Sequence, residues 1–191
     1  MRIIGLAGRA GVGKSTVARE LAKREGTVWI DLDRVAWEIY RPRLPAYWQL
    51  VSRFGEAILD KEGSIDRQRL SERVFSDEKA LADLNAIVHP EVTKCLSERI
   101  HAEKAQETKI LLVEGALLPV SPYVDRSCFD AILWLEASDE TRKHRLQAIG
   151  RGEHLQRRVV APKGSEAICI DAEGTIEQVA NRVTAVLDRL D

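Results

Sequence analysis

Gly8-Arg9-Ala10-Gly11-Val12-Gly13-Lys14-Ser15-Thr16 is the stretch that decides the fold. It fits the pattern Gly, four residues, Gly-Lys-Ser/Thr, and its flanks give that pattern a mechanical meaning. Ahead of it, Arg2-Ile3-Ile4-Gly5-Leu6-Ala7 is a short apolar run of the kind that forms a buried strand. Behind it, Ser15 to Lys23 sets Val17, Ala18, Leu21 and Ala22 among Arg19, Glu20 and Lys23, as an amphipathic helix does. Strand, glycine loop and helix in that order predict a phosphate-binding loop. The glycines let the backbone curl until successive N–H groups point at phosphate oxygens, and the helix N-terminus adds about half a positive charge. Lys14 has the reach for the β- and γ-phosphates, and the Ser15 hydroxyl suits Mg²⁺. The expected nucleotide set is therefore Gly8, Gly11, Val12, Gly13, Lys14, Ser15 and Thr16. The expected ligands are a nucleoside triphosphate and Mg²⁺.

Working outward, Thr27 to Asp31, Lys109 to Glu114, Asp130 to Leu135 and Ala167 to Ile170 read as further strands. Their continuous apolar character predicts parallel strands covered on both faces. Helical patterns cover Ser138 to Ile149 and Thr175 to Leu190, the latter opening with the Thr175/Gln178 spacing of a capping box. This alternation predicts an α/β fold, a doubly wound parallel five-stranded sheet with an all-helical insertion and a lid. Residues 1–34 and 105–191 form the expected nucleotide-binding core, with the lid near 142–160. Residues 35–104 show only helices and turns, and read as an acceptor-binding insertion. In it Pro42 and Pro45 break the chain after Tyr40, Asp60 to Ser64 is a turn, Asp66 caps a helix, and His89-Pro90 closes one helix and starts the next.

The 191 residues carry a net charge of −1, so no global basic field points to nucleic acid, and any anion site must be built locally. The longest apolar runs are too short to cross a bilayer, and Met1-Arg2-Ile3 leads straight into a strand with no room for a signal peptide. Cys95, Cys128 and Cys169 are odd in number and scattered, as small buried thiols in a reducing compartment. These features predict a cytoplasmic protein, and the helical insertion beside the loop predicts a small-molecule acceptor. They say nothing of its oligomeric state.

Three acidic positions follow strands. In Asp31-Leu32-Asp33, Asp33 lies past the strand end and is better placed to orient an acceptor hydroxyl and take its proton, while Asp31 suits the metal waters. Glu114 ends the third strand, where a second Mg²⁺ anchor is expected. Arg142, Lys143, Arg145, Arg151, Arg157 and Arg158 cluster near Gly150 and Gly152, as on a lid that closes over the triphosphate. Arg145 and Arg151 are the expected functional cations, and the others read as a solvated helical face. Trp29 and Trp134 sit within strands and read as core.

With these residues assembled, the chain resembles the dephospho-coenzyme A kinases. The resemblance is carried by Gly13-Lys14-Ser15-Thr16, Ile30-Asp31-Leu32-Asp33, Phe54-Gly55 and Gly63-Ser64-Ile65-Asp66-Arg67. Leu70, Val74-Phe75 and Leu84-Asn85-Ala86-Ile87-Val88-His89-Pro90 continue it. It implies ATP-dependent phosphorylation of the ribose 3′-hydroxyl of dephospho-coenzyme A, on a core with a helical acceptor domain and a lid. By matching position Asp33 falls on the family's base, and Arg145 and Gln156 on its lid. Asp33, Arg67 and His89 are the expected acceptor-binding residues, with Arg67 holding the acceptor's pyrophosphate. The family usually has Gly where Arg9 stands, and an Asp and Asn before a glycine where this chain has Ile170-Asp171-Ala172-Glu173-Gly174. A kinase of another small metabolite, such as a nucleoside or sugar, and a nucleotide-binding switch are the other readings.

Overall fold

The computed structural model describes every residue except 76, 117, 120, 153, 154, 156–158, 160, 163–165 and 191, and all side chains of the described residues but that of Phe75. Contacts divide the chain into two compact units, Met1–Asp31 with His101–Asp191, and Leu32–Ile100.

The first unit is built on a five-stranded, all-parallel sheet of β1 (Arg2–Gly8), β2 (Thr27–Asp31), β3 (Ile110–Glu114), β4 (Ala131–Glu136) and β5 (Ile168–Asp171), in the order β2-β3-β1-β4-β5. The three inner strands are buried nearly throughout, as two covered faces require. The edge strands are not. In β5 only Ile170 is buried, and in β2 only Ile30, because an edge strand has a neighbour on one side alone. Cys169 therefore stands exposed on β5 rather than buried, while Cys95 and Cys128 are half-buried; all three are free thiols.

Helices α1 (Lys14–Leu21) and α7 (Ile176–Leu187) pack their apolar stripes against the sheet and each other. Val17 and Leu21 share one buried cluster with Val179, Val183 and Leu187, over Ile4, Leu6, Leu112 and Leu133. Thr175 and Gln178 do form the capping box at the start of α7. Helix α6 (Asp139–Ala148) opens on Ser138, whose hydroxyl accepts from the Thr141 N–H, and buries Arg142 and Leu146. Trp134 is buried in β4. No helix among the described residues is long and apolar enough to cross a membrane.

The second unit contains α2 (Leu32–Ile39), α3 (Pro45–Phe54), α4 (Arg67–Phe75) and most of α5 (Glu78–Lys104). Its own core is Tyr40, Ala46, Leu50, Phe54, Ile58, Leu70, Val74 and Ala80, with Leu81, Leu84, Ile87 and Val88 of α5 packed against it. Pro45 takes the first turn of α3, where its missing N–H costs nothing. Asp66 accepts from the N–H groups of Gln68 and Arg69 at 2.8 and 3.1 Å and so starts α4. Within the Asp60–Ser64 turn, Asp60 Oδ1 accepts from the N–H groups of Glu62 and Ser64, and a single bridge joins Leu59 to Ile65.

The expected break at His89-Pro90 is absent. Helix α5 runs unbroken through Pro90 for 27 residues. A proline in a helix interior costs about 3 kcal/mol or more through one lost hydrogen bond and a ring clash. Here the ring lies on an exposed position. Before it Ile87 and Val88 pack on the core of this unit, and after it Leu96 and Ile100 are buried.

Candidate active site

In the first unit the site is the loop between β1 and α1. Gly8 has φ 145°, and a Cβ there would lie 2.5 Å from the Leu135 carbonyl oxygen. Gly11 has φ 84°, and its Cβ would meet the Arg142 carbonyl oxygen at 2.8 Å. Both positions are closed to any side chain by conformation and by space. Val12 is buried in the sheet–helix core, so only its backbone faces the loop side. Gly13 caps α1 without a side chain, and the first turn carries no acid, which leaves the positive end of the helix for an anion.

Lys14 folds back over the loop, its Nζ donating to the carbonyls of Gly8 at 3.0 Å and Arg9 at 3.2 Å. The Ser15 hydroxyl donates to Glu114 Oε1 at 2.6 Å, and Glu114 is 5% exposed. Asp31 pairs in register with Glu114 across β2 and β3, which sets both side chains on one side of the sheet at its carboxyl edge. Ser15, Asp31 and Glu114 would thus supply hard oxygens of the kind that Mg²⁺ prefers. They are too few for an all-protein cage, and fit an ion that also takes waters and phosphate oxygens. No group of three or more His, Cys, Asp or Glu able to hold a metal occurs among the described residues.

The cations of α6 depart from the sequence expectation. Arg142, read as part of a solvated face, is 3% exposed. Its Nε donates to the Ala10 carbonyl at 2.8 Å and its Nη1 to Asp139 Oδ1 at 2.6 Å. Arg145, expected as a functional cation of the lid, donates to backbone carbonyls in this structure. Nη1 donates to the carbonyls of Val12 at 3.0 Å and Ala172 at 3.1 Å, and Nη2 to Gly174 at 3.1 Å. It braces the loop against the turn between β5 and α7. Arg151 is exposed, its N–H donating to the Leu146 carbonyl. Gln156, Arg157, Arg158 and His154 lie outside the described residues. Spacing held a clue to Arg142, since it stands three residues before Arg145 and shares its helix face.

The divergent segment after β5 has a structural use. Glu173 accepts from the Ser138 N–H and the Thr141 hydroxyl, both at 2.7 Å, closing the N-terminus of α6. Those hydrogen bonds hold its carboxyl below the usual range.

In the second unit, Arg34, Trp37, Glu38, Tyr40, Arg41 and Arg67 line a cleft of about 290 Å³. The Arg67 guanidinium carbon lies 3.4 Å from the centre of the Trp37 ring, and the Tyr40 ring meets Trp37 edge-on at 5.1 Å. Burial pushes the Tyr40 phenol far up; the Arg67 charge works against this and the Asp33 charge adds to it. Asp33 occupies the exposed first turn of α2 and so shares an electrostatic neighbourhood with Tyr40 and Arg67. Burial raises the Glu38 carboxyl, but its hydrogen bond and ion pair with Arg99 at 2.5 Å and the charges of Arg34 and Arg41 outweigh this and hold it low. His89, on α5, is half-buried, and burial lowers its pKa, which makes it a neutral donor or acceptor rather than a cation.

A model of the dephospho-CoA kinase family matches residues 2–180. The chain belongs to that family. A dephospho-CoA kinase of Thermobifida fusca is 37% identical over 196 residues, covering 98% of this chain and 95% of its own. One from Corynebacterium glutamicum is 35% identical, covering 96% and 97%. Among solved structures, a Thermus thermophilus protein superposes with a TM-score of 0.77 at 31% identity, covering 100% of this chain and 98% of its own. The dephospho-CoA kinase of Campylobacter jejuni shares the fold with a TM-score of 0.65 at 20% identity, covering 100% and 98%. The doubly wound α/β fold and the family expected from the loop, the second strand and the Gly63–Arg67 string are thus established. Within this dephospho-CoA kinase family member, Trp37 and Arg142 are the residues that sequence reasoning passed over.

Proposed function

We propose that this chain transfers the γ-phosphoryl group of ATP to the ribose 3′-hydroxyl of dephospho-coenzyme A. The observation that carries the reading is the coexistence, in a member of this family, of a glycine-loop phosphate nest with a separate cleft walled by guanidinium and aromatic groups. A pyrophosphate-bearing acceptor asks for such walls. Three arginines face one acid there, Glu38, which is already committed to Arg99 and Arg34. Trp37, Tyr40, Pro42 and Ile65 supply apolar surface for the rest of the molecule.

In the transfer, the loop N–H groups and Lys14 hold the phosphates, and Lys14 exchanges its two carbonyl partners for phosphate oxygens. Asp33 orients the 3′-hydroxyl and accepts its proton as the new O–P bond forms and ADP leaves. Ser15, with Asp31 and Glu114 behind it, would hold Mg²⁺, which when bound neutralises charge on the β- and γ-phosphates. Arg67 holds the acceptor pyrophosphate by its planar fork. Arg145 keeps the loop seated.

Purified protein incubated with ATP, Mg²⁺ and dephospho-coenzyme A should yield coenzyme A, identified by mass and by the phosphorus resonance of a 3′-monophosphate. Protein that ignores dephospho-coenzyme A but phosphorylates a nucleoside or sugar would replace the reading with the broader kinase alternative. ATP binding with no transfer to any acceptor would favour a switch.

A further inference from the structure

We propose that Arg142 is a positioning residue for the triphosphate: its buried guanidinium, held by Asp139, keeps the Ala10 carbonyl turned out of the phosphate nest. The proposal rests on the reading of the loop as the triphosphate site.

A run of N–H groups can converge on an anion only if the carbonyls of the same peptides point away, and each outward carbonyl then needs a donor. In this loop the carbonyls of Gly8, Arg9, Ala10 and Val12 all accept from cationic side chains: Lys14 for the first two, Arg142 for the third, Arg145 for the fourth. The Lys14 bonds are given up when the ammonium turns to phosphate. Those of α6 do not compete with the ligand, so they keep the nest shaped while it is filled.

Arg142 is the more committed of the two arginines. At 3% exposure its charge needs close partners, and it has a carbonyl at 2.8 Å and a carboxylate at 2.6 Å, from Nε and Nη1 of one planar fork. Lysine carries its donors on one compact ammonium, so it could not reach both acceptors from the two separate nitrogens that the planar guanidinium spans. Asp139 stands in the first turn of α6, where a carboxylate is favoured by the helix dipole, and its Oδ1 also lies 4.0 Å from Arg9 Nη1. Arg9, standing where the family usually has glycine, is thus drawn towards the same carboxylate. A Cβ on Gly11 would lie 2.8 Å from the Arg142 carbonyl oxygen, so loop and helix leave no room there for a side chain.

The test is calorimetric binding of ATP to wild type, Arg142→Lys, Arg142→Gln and Asp139→Asn. The KM for each substrate, the melting temperature and hydrogen exchange of the loop amides complete it. Loss of a charge-assisted hydrogen bond should raise the ATP Kd of Arg142→Lys about tenfold or more. The acceptor KM should stay within about twofold of wild type, and loop amides should exchange faster. Arg142→Gln, which keeps a neutral donor, should recover part of the affinity, and Asp139→Asn should weaken ATP in the same direction. A folded Arg142→Lys that binds ATP as wild type does would overturn the proposal. So would both KM values drifting together with the melting temperature, the mark of a merely structural role. If Arg142→Lys does not fold, unchanged ATP affinity in Asp139→Asn overturns it. Wild type that binds no ATP would instead remove the loop assignment, and the proposal with it.

Discussion

The Arg67 guanidinium lies over the Trp37 ring with its central carbon 3.4 Å from the ring centre, and Tyr40 is edge-on to the same indole. Arg67 is also the first residue of α4, where a cation opposes the helix dipole. In the proposed reaction this guanidinium serves the acceptor's pyrophosphate, and its position gives the helix no dipole advantage.

The first prediction follows from that pair. Arg67→Ala should raise the KM for dephospho-coenzyme A by about 10- to 100-fold, the size of a lost charge-assisted bidentate contact, and leave the KM for ATP almost unchanged. Arg67→Lys should not restore it, because an ammonium lacks the fork. Trp37→Ala removes only the platform, worth about 0.5–2 kcal/mol, so the acceptor KM should rise by about two- to thirtyfold. Steady-state kinetics with each substrate varied decides this. Both KM values drifting with the melting temperature would reduce Arg67 to a structural role.

Lys14 offers a second. Its ammonium bridges the carbonyls of Gly8 and Arg9, and in the proposed reaction it moves to the phosphates. Lys14→Ala should abolish transfer and weaken ATP binding, read by titrating ATP into the variant. Unchanged affinity together with unchanged turnover would refute the loop assignment.

These predictions draw on features of unequal visibility in the sequence. The loop, the strands around it, the Asp66 cap and the Thr175/Gln178 box could be read because each is local: a handful of neighbouring residues fixes the geometry. The run through Pro90 could not, because packing of residues a turn or more away decides whether one lost hydrogen bond ends a helix. Arg142 looked solvated because its partner, the Ala10 carbonyl, stands 132 residues away and is backbone, which no side-chain pattern reveals. Trp37 and Arg67 met for the same reason, through the fold of the helical unit. The exposure of Cys169 depended on β5 being an edge, and strand order is set by crossovers rather than by any one strand.

Asp33 carries the third prediction. Asp33→Asn keeps the shape and removes the proton acceptor, so turnover should fall by about 10²- to 10⁴-fold while ATP affinity changes little. The check is single-turnover rate against ATP dissociation constant. Collapse of ATP binding with surviving chemistry would make Asp33 a metal anchor and shift the base to another carboxylate.

His89 gives a prediction in pH. Burial holds its imidazole below the ordinary value, so the unfolded chain takes up the proton first as the solution is acidified. Its contribution to stability is therefore complete above the unfolded value of about 6.5 and is lost as pH falls through that value towards the lower folded one. Between pH 7.5 and 5.5 the wild-type melting temperature should fall more steeply than that of His89→Gln; parallel curves would remove His89 from the linkage. The same neutrality bears on the acceptor-binding role expected of it. A charged imidazole on the pyrophosphate would make the acceptor KM rise as pH climbs through 6.5, and that rise would vanish in His89→Gln. A neutral one supplies a hydrogen bond, so the KM of wild type and His89→Gln should change with pH in parallel across that range. A wild-type rise that the variant lacks would show that the substrate itself recharges the ring, and His89 would then count among the cations that hold the acceptor.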